Sequence, residues 1–525
     1  MTRVLIACLL LTASIVPGAS GQQVLGSIDF ATSGGPEAHD LFTTGVLLLH
    51  SFEYEDAAEQ FKAAQAIESD FAMAYWGEAM TLYRPVWNQL MREEARAVLN
   101  NLAPTPELRL EKASTRREKD LLSAAEQLFV DGDVGNNLSQ YRQAMHRLHL
   151  KYPGDHEIAA FYALSILGEQ RGTRDFSAYM RAAAIAEEVF AENPKHPGAA
   201  HYLIHSYDDP VHAPLGLRAA EAYSDIAPDA AHALHMPSHI FVALGMWDRV
   251  AELNERSWKA AEARRIRKSL GKSQRSFHAI AWLSYAYLQQ GRFADSEELI
   301  RSVDEDIQED ATNRMRSYLL SMKAAYIINS ENWSSDLINV STDTEEVGNR
   351  IAAVEAFAEG LAAIAEGDAI AAERQLEEVR EALRNSEDDS RSAVIIEIFA
   401  AELKAKILAE QGNFTQAVDL LNGAVVLEES LPFEYGPPDI VKPSHEMLGE
   451  VLLEAGRYDE AGDAFQAALT RAPKRALSLR GLAISSAMSN RMTDAHAAYE
   501  SYKQIRASGD DKIESLDEIL RKINE

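Results

Sequence analysis

The chain has 525 residues, which is too long for one small hydrophobic core and predicts either several domains or an array of repeats. Apolar residues make up 46% and charged residues 25%, values typical of a globular protein. The formal net charge of −30 would repel a phosphate backbone, so the composition argues against nucleic-acid binding.

The first residues have the pattern of a secretory signal peptide, predicted to span residues 1–21. Arg3 precedes an apolar run from Val4 to Val16, and small residues follow up to Gly21. A run of about 13 apolar residues is too short to span a bilayer, and no later stretch is long enough. The only cysteine, Cys8, would leave with the signal peptide, so no thiolate ligand would remain. We therefore expect a protein without a transmembrane segment, in the periplasm or outside the cell.

One phrase recurs along the chain with the same spacing of large and small residues. It reads YEDAAEQFKAA at 54–64, GNFTQAVDLLNGA at 412–424 and GRYDEAGDAFQAALTRAP at 456–473. An aromatic or apolar residue followed at +3, +7 and +10 forms one stripe on an α-helix. The glycine before the phrase ends the preceding helix and permits a tight turn. The pattern predicts repeated helix–turn–helix units.

This phrase resembles the tetratricopeptide repeat, a helix–turn–helix unit of 34 residues. The resemblance implies an all-α superhelical solenoid over most of the mature chain. We expect an N-terminal array over residues 22–345 and a C-terminal array over residues 346–525, with the boundary in the polar segment 331–349. The tail after Ser508 is predicted to form a capping helix.

The chain as a whole resembles a group of secreted bacterial tetratricopeptide-repeat proteins. The phrases that carry this resemblance are AYWGEAM near the start and HYLIHSYD and HMPSHI in the middle. The resemblance implies a concave groove that binds a protein, a peptide or a small molecule, and it supplies no reaction.

Six of the fifteen histidines lie between residues 201 and 239. Two pairs have the form H-x-x-x-H, His201 with His205 and His235 with His239. With Gly245 at the turn of its repeat, both pairs occupy positions 5 and 9 of successive repeats. In the same frame His232 and His278 occupy position 2, while His212 falls off the groove face.

The resemblance implies that positions 2, 5, 9, 12 and 13 of each repeat line the groove. Residues at i and i+4 share one helix face, and packed helices lie about 8–10 Å apart, so the two pairs are expected to converge on a common centre. Pro237 is expected to kink or begin a helix between His235 and His239. The predicted metal ligands are His201, His205, His235 and His239, with His232 and His278 as further ligands or supporting residues.

Three interpretations of these histidines stay open. They are hydrogen-bonded core residues, donors and acceptors for a peptide or carbohydrate, or ligands of a transition metal such as Cu, Zn or Fe. The frame also predicts a groove wall formed by His50, Trp76, Met80 and Tyr83. The alternative is that Trp76, together with Tyr75 and Trp87, belongs to the core between helices.

The sequence favours a binding module with a histidine-rich metal centre, and the alternative is a metal-dependent hydrolase or oxidoreductase. A third possibility is an assembly factor without a metal. The segment IRKSLGKS at 266–273 lacks the first glycine of a phosphate loop, so no nucleotide is expected. The sequence has no H-E-x-x-H and no G-x-S-x-G motif, and its catalytic residues stay unknown. A closed pocket beside the histidines would favour an enzyme, and a long open groove would favour a binding module.

Overall fold

The computed structural model describes residues 23–171, 174–344, 347–387, 390–433, 435–510 and 513–524. The predicted signal peptide lies outside these residues. Across the described ranges, α-helices follow one another, most of them joined by short turns, and this confirms the predicted all-α solenoid. No helix in these ranges is long and apolar enough to cross a membrane.

The first thirteen helices are α1 (Pro36–His50), α2 (Tyr54–Ile67), α3 (Ala72–Met80), α4 (Arg92–Leu102), α5 (Pro106–Lys112), α6 (Arg116–Phe129), α7 (Val134–Lys151), α8 (His156–Glu169), α9 (Phe176–Glu192), α10 (Pro197–Tyr207), α11 (Ala213–Ile226), α12 (Ala231–His235) and α13 (Pro237–Ala243). The remaining helices are α14 (Trp247–Arg267), α15 (Phe277–Gln290), α16 (Phe293–Glu309), α17 (Asn313–Ser330), α18 (Asn349–Ala365), α19 (Ala369–Arg384), α20 (Arg391–Glu410), α21 (Phe414–Ser430), α22 (Ser444–Glu454), α23 (Tyr458–Arg471), α24 (Ala476–Met488), α25 (Met492–Ile505) and α26 (Leu516–Asn524). Short 3₁₀ helices span Pro85–Trp87, Lys272–Gln274 and Asp336–Asn339. Strands β1 (Tyr83–Arg84) and β2 (Gln89–Leu90) pair antiparallel, with Tyr83 opposite Leu90.

Large aromatic residues of the recurring phrase fit against glycines on the two neighbouring helices. A Cβ added to Gly45 of α1 would lie 2.7 Å from the ring of Phe61, and one added to Gly77 of α3 would lie 2.3 Å from it. Phe465 of α23 meets glycines of α22 and α24 in the same way. The small residues let the helices approach, and the ring fills the space between them. This packing explains why the phrase recurs.

Residues with positive φ end the first helix of many pairs, as the pattern predicts. They are Gly245, Gly291, Gly367, Gly412, Gly456 and Asn490. At Gly245 the φ of 61° and the approach of the Pro473 carbonyl oxygen, 2.4 Å from an added Cβ, both require glycine.

The superhelix brings its C-terminal part against the middle of the chain. The Trp247 indole N–H donates to the Lys474 carbonyl at 2.9 Å, and buried Arg475 donates to the Tyr285 hydroxyl at 3.0 Å. A Cβ on Gly436 would lie 2.1 Å from the Trp282 ring. The loop before α22 therefore packs on α15, the helix that carries His278.

The segment 331–349 does not interrupt the packing of the described helices. Ala324 and Ile328 of α17 share one hydrophobic core with Ala353 and Phe357 of α18. The division at residue 345 stays a prediction.

Candidate metal centre

Six histidine rings from neighbouring first helices of successive pairs lie together inside the solenoid. Helix α10 supplies His201 and His205, α12 supplies His232 and His235, α13 supplies His239, and α15 supplies His278. The rings contact one another directly, with centroids 4.8 Å apart for His201 and His205 and 4.5 Å apart for His235 and His278.

The six rings form two groups of three. We call His201, His205 and His232 site A, and His235, His239 and His278 site B. Within each site, one nitrogen atom from each ring lies within 4.8 Å of the other two. The sites touch, because the centroids of His205 and His239 are 5.8 Å apart and those of His232 and His235 are 6.0 Å apart. The sequence led us to expect one common centre, and the structure instead forms two adjacent groups.

The predicted helix break lies at Pro237. Helix α12 ends at His235 and α13 begins at Pro237, and the His239 amide donates to the Met236 carbonyl at 3.1 Å. The rings of His235 and His239 nevertheless stay adjacent, with 3.2 Å between their Nε2 atoms.

Hydrogen bonds to Nδ1 fix the tautomers of both these histidines. His239 Nδ1 lies 2.5 Å from the Asp208 carboxylate, which accepts. His235 Nδ1 lies 2.7 Å from Asn254 Oδ1, which also accepts, because the Asn254 amide nitrogen donates to Ser238 and to the Val250 carbonyl. Each Nδ1 therefore bears the proton and each Nε2 a lone pair. Two lone pairs 3.2 Å apart cannot form a hydrogen bond with each other.

Site A contains a similar arrangement. His201 Nδ1 donates to the His50 carbonyl at 2.7 Å, so its Nε2 presents a lone pair toward His205 Nε2 at 3.1 Å. His232 Nε2 is buried and has no hydrogen-bond partner among the described residues. Buried polar atoms usually have a partner, so this nitrogen atom is available to a ligand.

Burial favours the neutral form of five of these imidazoles. It holds the pKa of His201, His205, His232 and His235 well below the ordinary value, and the neighbouring imidazoles lower each pKa further. Burial also lowers the pKa of His278 to about 3. Because a metal binds the neutral form of imidazole, these five side chains can coordinate at neutral pH without losing a proton.

A cavity of about 230 Å³ adjoins both sites. His205 and His232 of site A and His239 and His278 of site B line it, whereas His201 and His235 do not. The remaining walls include the residues Pro85, Val86, Trp87, Asn88, Leu167, Arg171, Tyr179, Met236 and Tyr435. One wall closes where the hydroxyls of Tyr179 and Tyr435 meet at 2.7 Å.

Two aromatic side chains hold the histidine rings in place. The Phe52 ring lies 4.2 Å from His201 and 5.8 Å from His205, measured between centroids. The Trp282 ring lies 4.4 Å from His239 and 4.8 Å from His235. Rigid packing on one side leaves the rings little freedom to turn away from the cavity.

The family model described as "Tetratricopeptide repeat" matches residues 443–475, which contain all of α22 and α23. That match falls on the same helix pair and the same glycine–aromatic packing that recur along the chain. The chain contains a tetratricopeptide repeat at these residues. A solenoid of such repeats is the architecture of a protein-binding module.

Solved structures show similar runs of helices at low identity. The APC/C hetero-tetramer Cut9–Hcn1 is 11% identical with a TM-score of 0.32, covering 95% of this chain and 79% of that one. Yeast Tom70 is 13% identical with a TM-score of 0.35, covering 89% and 99%. The human IFIT1 dimer with m7Gppp-AAAA is 15% identical with a TM-score of 0.36, covering 91% and 92%. No curated protein matches the chain.

The four residues predicted to line the groove of the tetratricopeptide-repeat array lie in its core instead. Trp76 packs against Phe161 with centroids 5.4 Å apart, and Met80 is 2% exposed. Tyr83 is buried and its ring meets Tyr141 at 5.9 Å. Trp87, which the alternative interpretation placed in the core, instead lines the cavity.

His50 belongs to a fully buried network that involves three helices. Its Nε2 and His196 Nε2 bond to the two oxygens of Glu157 at 2.9 and 3.0 Å, and its Nδ1 bonds to the Tyr202 hydroxyl at 2.8 Å. Burial would raise the pKa of Glu157, but His196 and His50 hold it far below its ordinary value. Both histidines also use their Nδ1 atoms, since His196 Nδ1 accepts from the Ala199 amide. This network therefore has a structural role.

Asp208 and Asn254, which orient His239 and His235, were not predicted from the sequence. Asp208 could have been found, because it lies seven residues after His201 and hence two turns farther along the same face. Asn254 gives no such signal. His212, expected off the groove face, pairs with Asp209 at 2.9 Å and stays out of both sites.

Proposed function

We propose that this tetratricopeptide-repeat protein binds transition-metal ions in its histidine cluster and acts on a small molecule in the adjoining cavity. The observation that carries the proposal is the pair of facing lone pairs on His235 and His239. A proton between them would place a charged imidazolium among buried side chains, which burial opposes. A metal cation satisfies both nitrogen atoms without that cost.

The surroundings of the cluster support metal binding. Metal-bound histidines usually donate their other N–H to a carboxylate, a carbonyl or another acceptor, which orients the ring. His239 has the Asp208 carboxylate, His201 the His50 carbonyl and His235 the Asn254 amide oxygen. With imidazole as the only ligand type in either site, Cu, Zn and Fe are the favoured metals.

The cavity favours an enzyme over an open peptide-binding groove. Its volume of about 230 Å³ lies below the ~300–1,000 Å³ of pockets for drug-sized ligands, so it suits a small molecule. Four of the six histidines face it, which leaves coordination positions open to that molecule. A metal bound there would polarise the substrate or activate water, as in metal-dependent hydrolases and oxidoreductases.

Elemental analysis of the mature protein, purified without a histidine tag, tests the proposal. We expect stoichiometric metal in the wild type and its loss in the double variant His201→Ala/His239→Ala. His156→Ala/His445→Ala is the matched control, because these histidines pair with Glu192 and Glu429 outside the cluster. Wild-type protein that stays empty after reconstitution with Cu(II), Zn(II) and Fe(II) would refute metal binding.

The N-terminal sequence supports secretion to the periplasm or beyond, where the metal would be acquired. Fractionation of cells that express the full chain tests this location. We expect the protein in the periplasmic or extracellular fraction with residues 1–21 removed, as N-terminal sequencing would show, and a cytoplasmic product that keeps Met1 would contradict it.

A further inference from the structure

We infer that the cluster holds two metal ions, one in site A and one in site B, and that the cavity admits a small ligand that bridges them. This inference rests on the proposed metal binding and adds the number of ions and the kind of ligand.

The repeat frame makes the two sites copies of each other. Site A takes positions 5 and 9 of one repeat, His201 and His205, and position 2 of the next, His232. Site B takes positions 5 and 9 of that next repeat, His235 and His239, and position 2 of the following one, His278. A shift of one repeat along the solenoid therefore carries one ligand set onto the other. A ligand set copied whole is the pattern expected for two equivalent sites.

The repeats on either side of sites A and B do not continue the set of histidine ligands. In the repeat that begins near Phe277, positions 5 and 9 are Ala281 and Tyr285, which offer no imidazole. In the repeat that carries His201, position 2 is Gly198, where an added Cβ would lie 2.3 Å from the His50 ring. The frame thus provides two complete sets within the described solenoid.

The ligand count also argues for two ions. Zinc bound by histidine is usually four-coordinate, with nitrogen about 2.0–2.1 Å away. A single ion would therefore leave some of the six imidazoles without a role. Each site instead has a buried histidine oriented by its own acceptor, the His50 carbonyl for His201 and Asn254 for His235. Three ligands and one open position form the usual composition of a catalytic site.

Both sites open onto the same cavity, so a ligand in the cavity can reach both metal ions. His205 and His239, one from each site, have centroids 5.8 Å apart and both line the cavity. In two-metal centres the ions lie about 3.5–4 Å apart and share a small oxygen ligand. The expected bridging ligand is hydroxide, dioxygen or a small anion such as azide.

Copper loading and metal analysis test the inference on the full mature chain. Two double variants of cavity-lining residues are matched, His205→Ala/His232→Ala in site A and His239→Ala/His278→Ala in site B. We expect about two Cu(II) ions per chain in the wild type and about one in each variant. Circular dichroism of all three proteins, compared with the His156→Ala/His445→Ala control, tests whether the variants are folded.

Electron paramagnetic resonance separates the remaining outcomes. In the wild type, bridged Cu(II) ions should couple and give a signal far below the copper content, and azide should perturb it. Each double variant should give the full signal of an isolated Cu(II) ion. One ion per chain in the wild type, or two ions with uncoupled signals, would overturn the inference while metal binding stands. A wild type without metal would overturn metal binding itself.

Discussion

Replacement of Asp208 by asparagine tests whether the environment of His239 serves metal binding. Asp208 is 1% exposed and its carboxylate lies 2.5 Å from His239 Nδ1. The carboxylate only accepts, so it holds the proton on Nδ1 and leaves Nε2 free for a metal. An asparagine amide can instead donate to Nδ1, which would move the proton to Nε2 and block coordination.

The expected size of the effect follows from this geometry. Loss of such a partner typically weakens metal affinity 10–100-fold, which corresponds to about 1.4–2.7 kcal/mol. Site A has no contact with Asp208 among its hydrogen bonds, since His201 is oriented by the His50 carbonyl. The loss in Asp208→Asn should therefore be confined to site B.

Competition with a chelator of known affinity measures this change. The metal-loaded protein is titrated, and the dissociation constants of wild type, Asp208→Asn and Asp225→Asn are compared. Asp225 is an exposed carboxylate on α11 and serves as the matched control. A folded Asp208→Asn protein that keeps wild-type affinity would refute the role of the carboxylate, and so would equal weakening of both sites.

Three further predictions concern stability. In metal-free protein, burial lowers the pKa of His278 to about 3, so between pH 6.5 and 3 the unfolded chain binds a proton that the native state does not. As the pH is lowered through this range, the free energy of unfolding should fall by about 1.4 kcal/mol per pH unit for this group. Urea titrations at several pH values measure the change. Burial raises the pKa of Glu402 well above its ordinary value, although the Ser444 hydroxyl opposes the shift. The contribution of Glu402 to stability is therefore present below the unfolded pKa and is lost as the pH rises. Glu402→Gln should melt at a higher temperature than wild type at pH 8 and not at pH 4, and a lower melting temperature at pH 8 would contradict this. Trp76→Ala should lower the free energy of unfolding by about 3–5 kcal/mol, measured with urea, and leave the metal content unchanged. Loss of metal from the folded variant would instead support the interpretation of Trp76 as a groove residue.

The helices could be predicted because the residues that determine the packing of each repeat lie close together in the sequence. Tyr, Ala and Phe at fixed spacing, with a glycine before them, determine one stripe and one turn, and Gly245 and Phe61 occupy the structural places that this spacing assigns. Pro237 is a second local signal, since its ring fixes φ and removes a donor wherever it stands. Local rules of this kind need no knowledge of distant residues.

The two-site arrangement and the cavity could not be predicted, because they depend on contacts between helices that the sequence does not show. The repeat frame aligned the histidines, but it did not show whether six rings meet in one group or two. Trp76 lies in the core, as the alternative interpretation predicted, but Trp87 does not. The turn after α3 places Trp87 at the cavity, and no periodicity in the sequence reports that turn. Asn254 reaches His235 only through the packing of α14 on α12.

The hydrogen bond between Tyr179 and Tyr435 joins residues that are 256 positions apart. The six histidines, by contrast, lie within three consecutive helix pairs, and contacts between residues close in sequence cost less loop-closure entropy. The ligands can therefore assemble while the cavity is still open on one side. The wall closes only when the loop before α22 docks on α15, so the histidine cluster forms from neighbouring repeats, whereas its enclosure requires the completed superhelix.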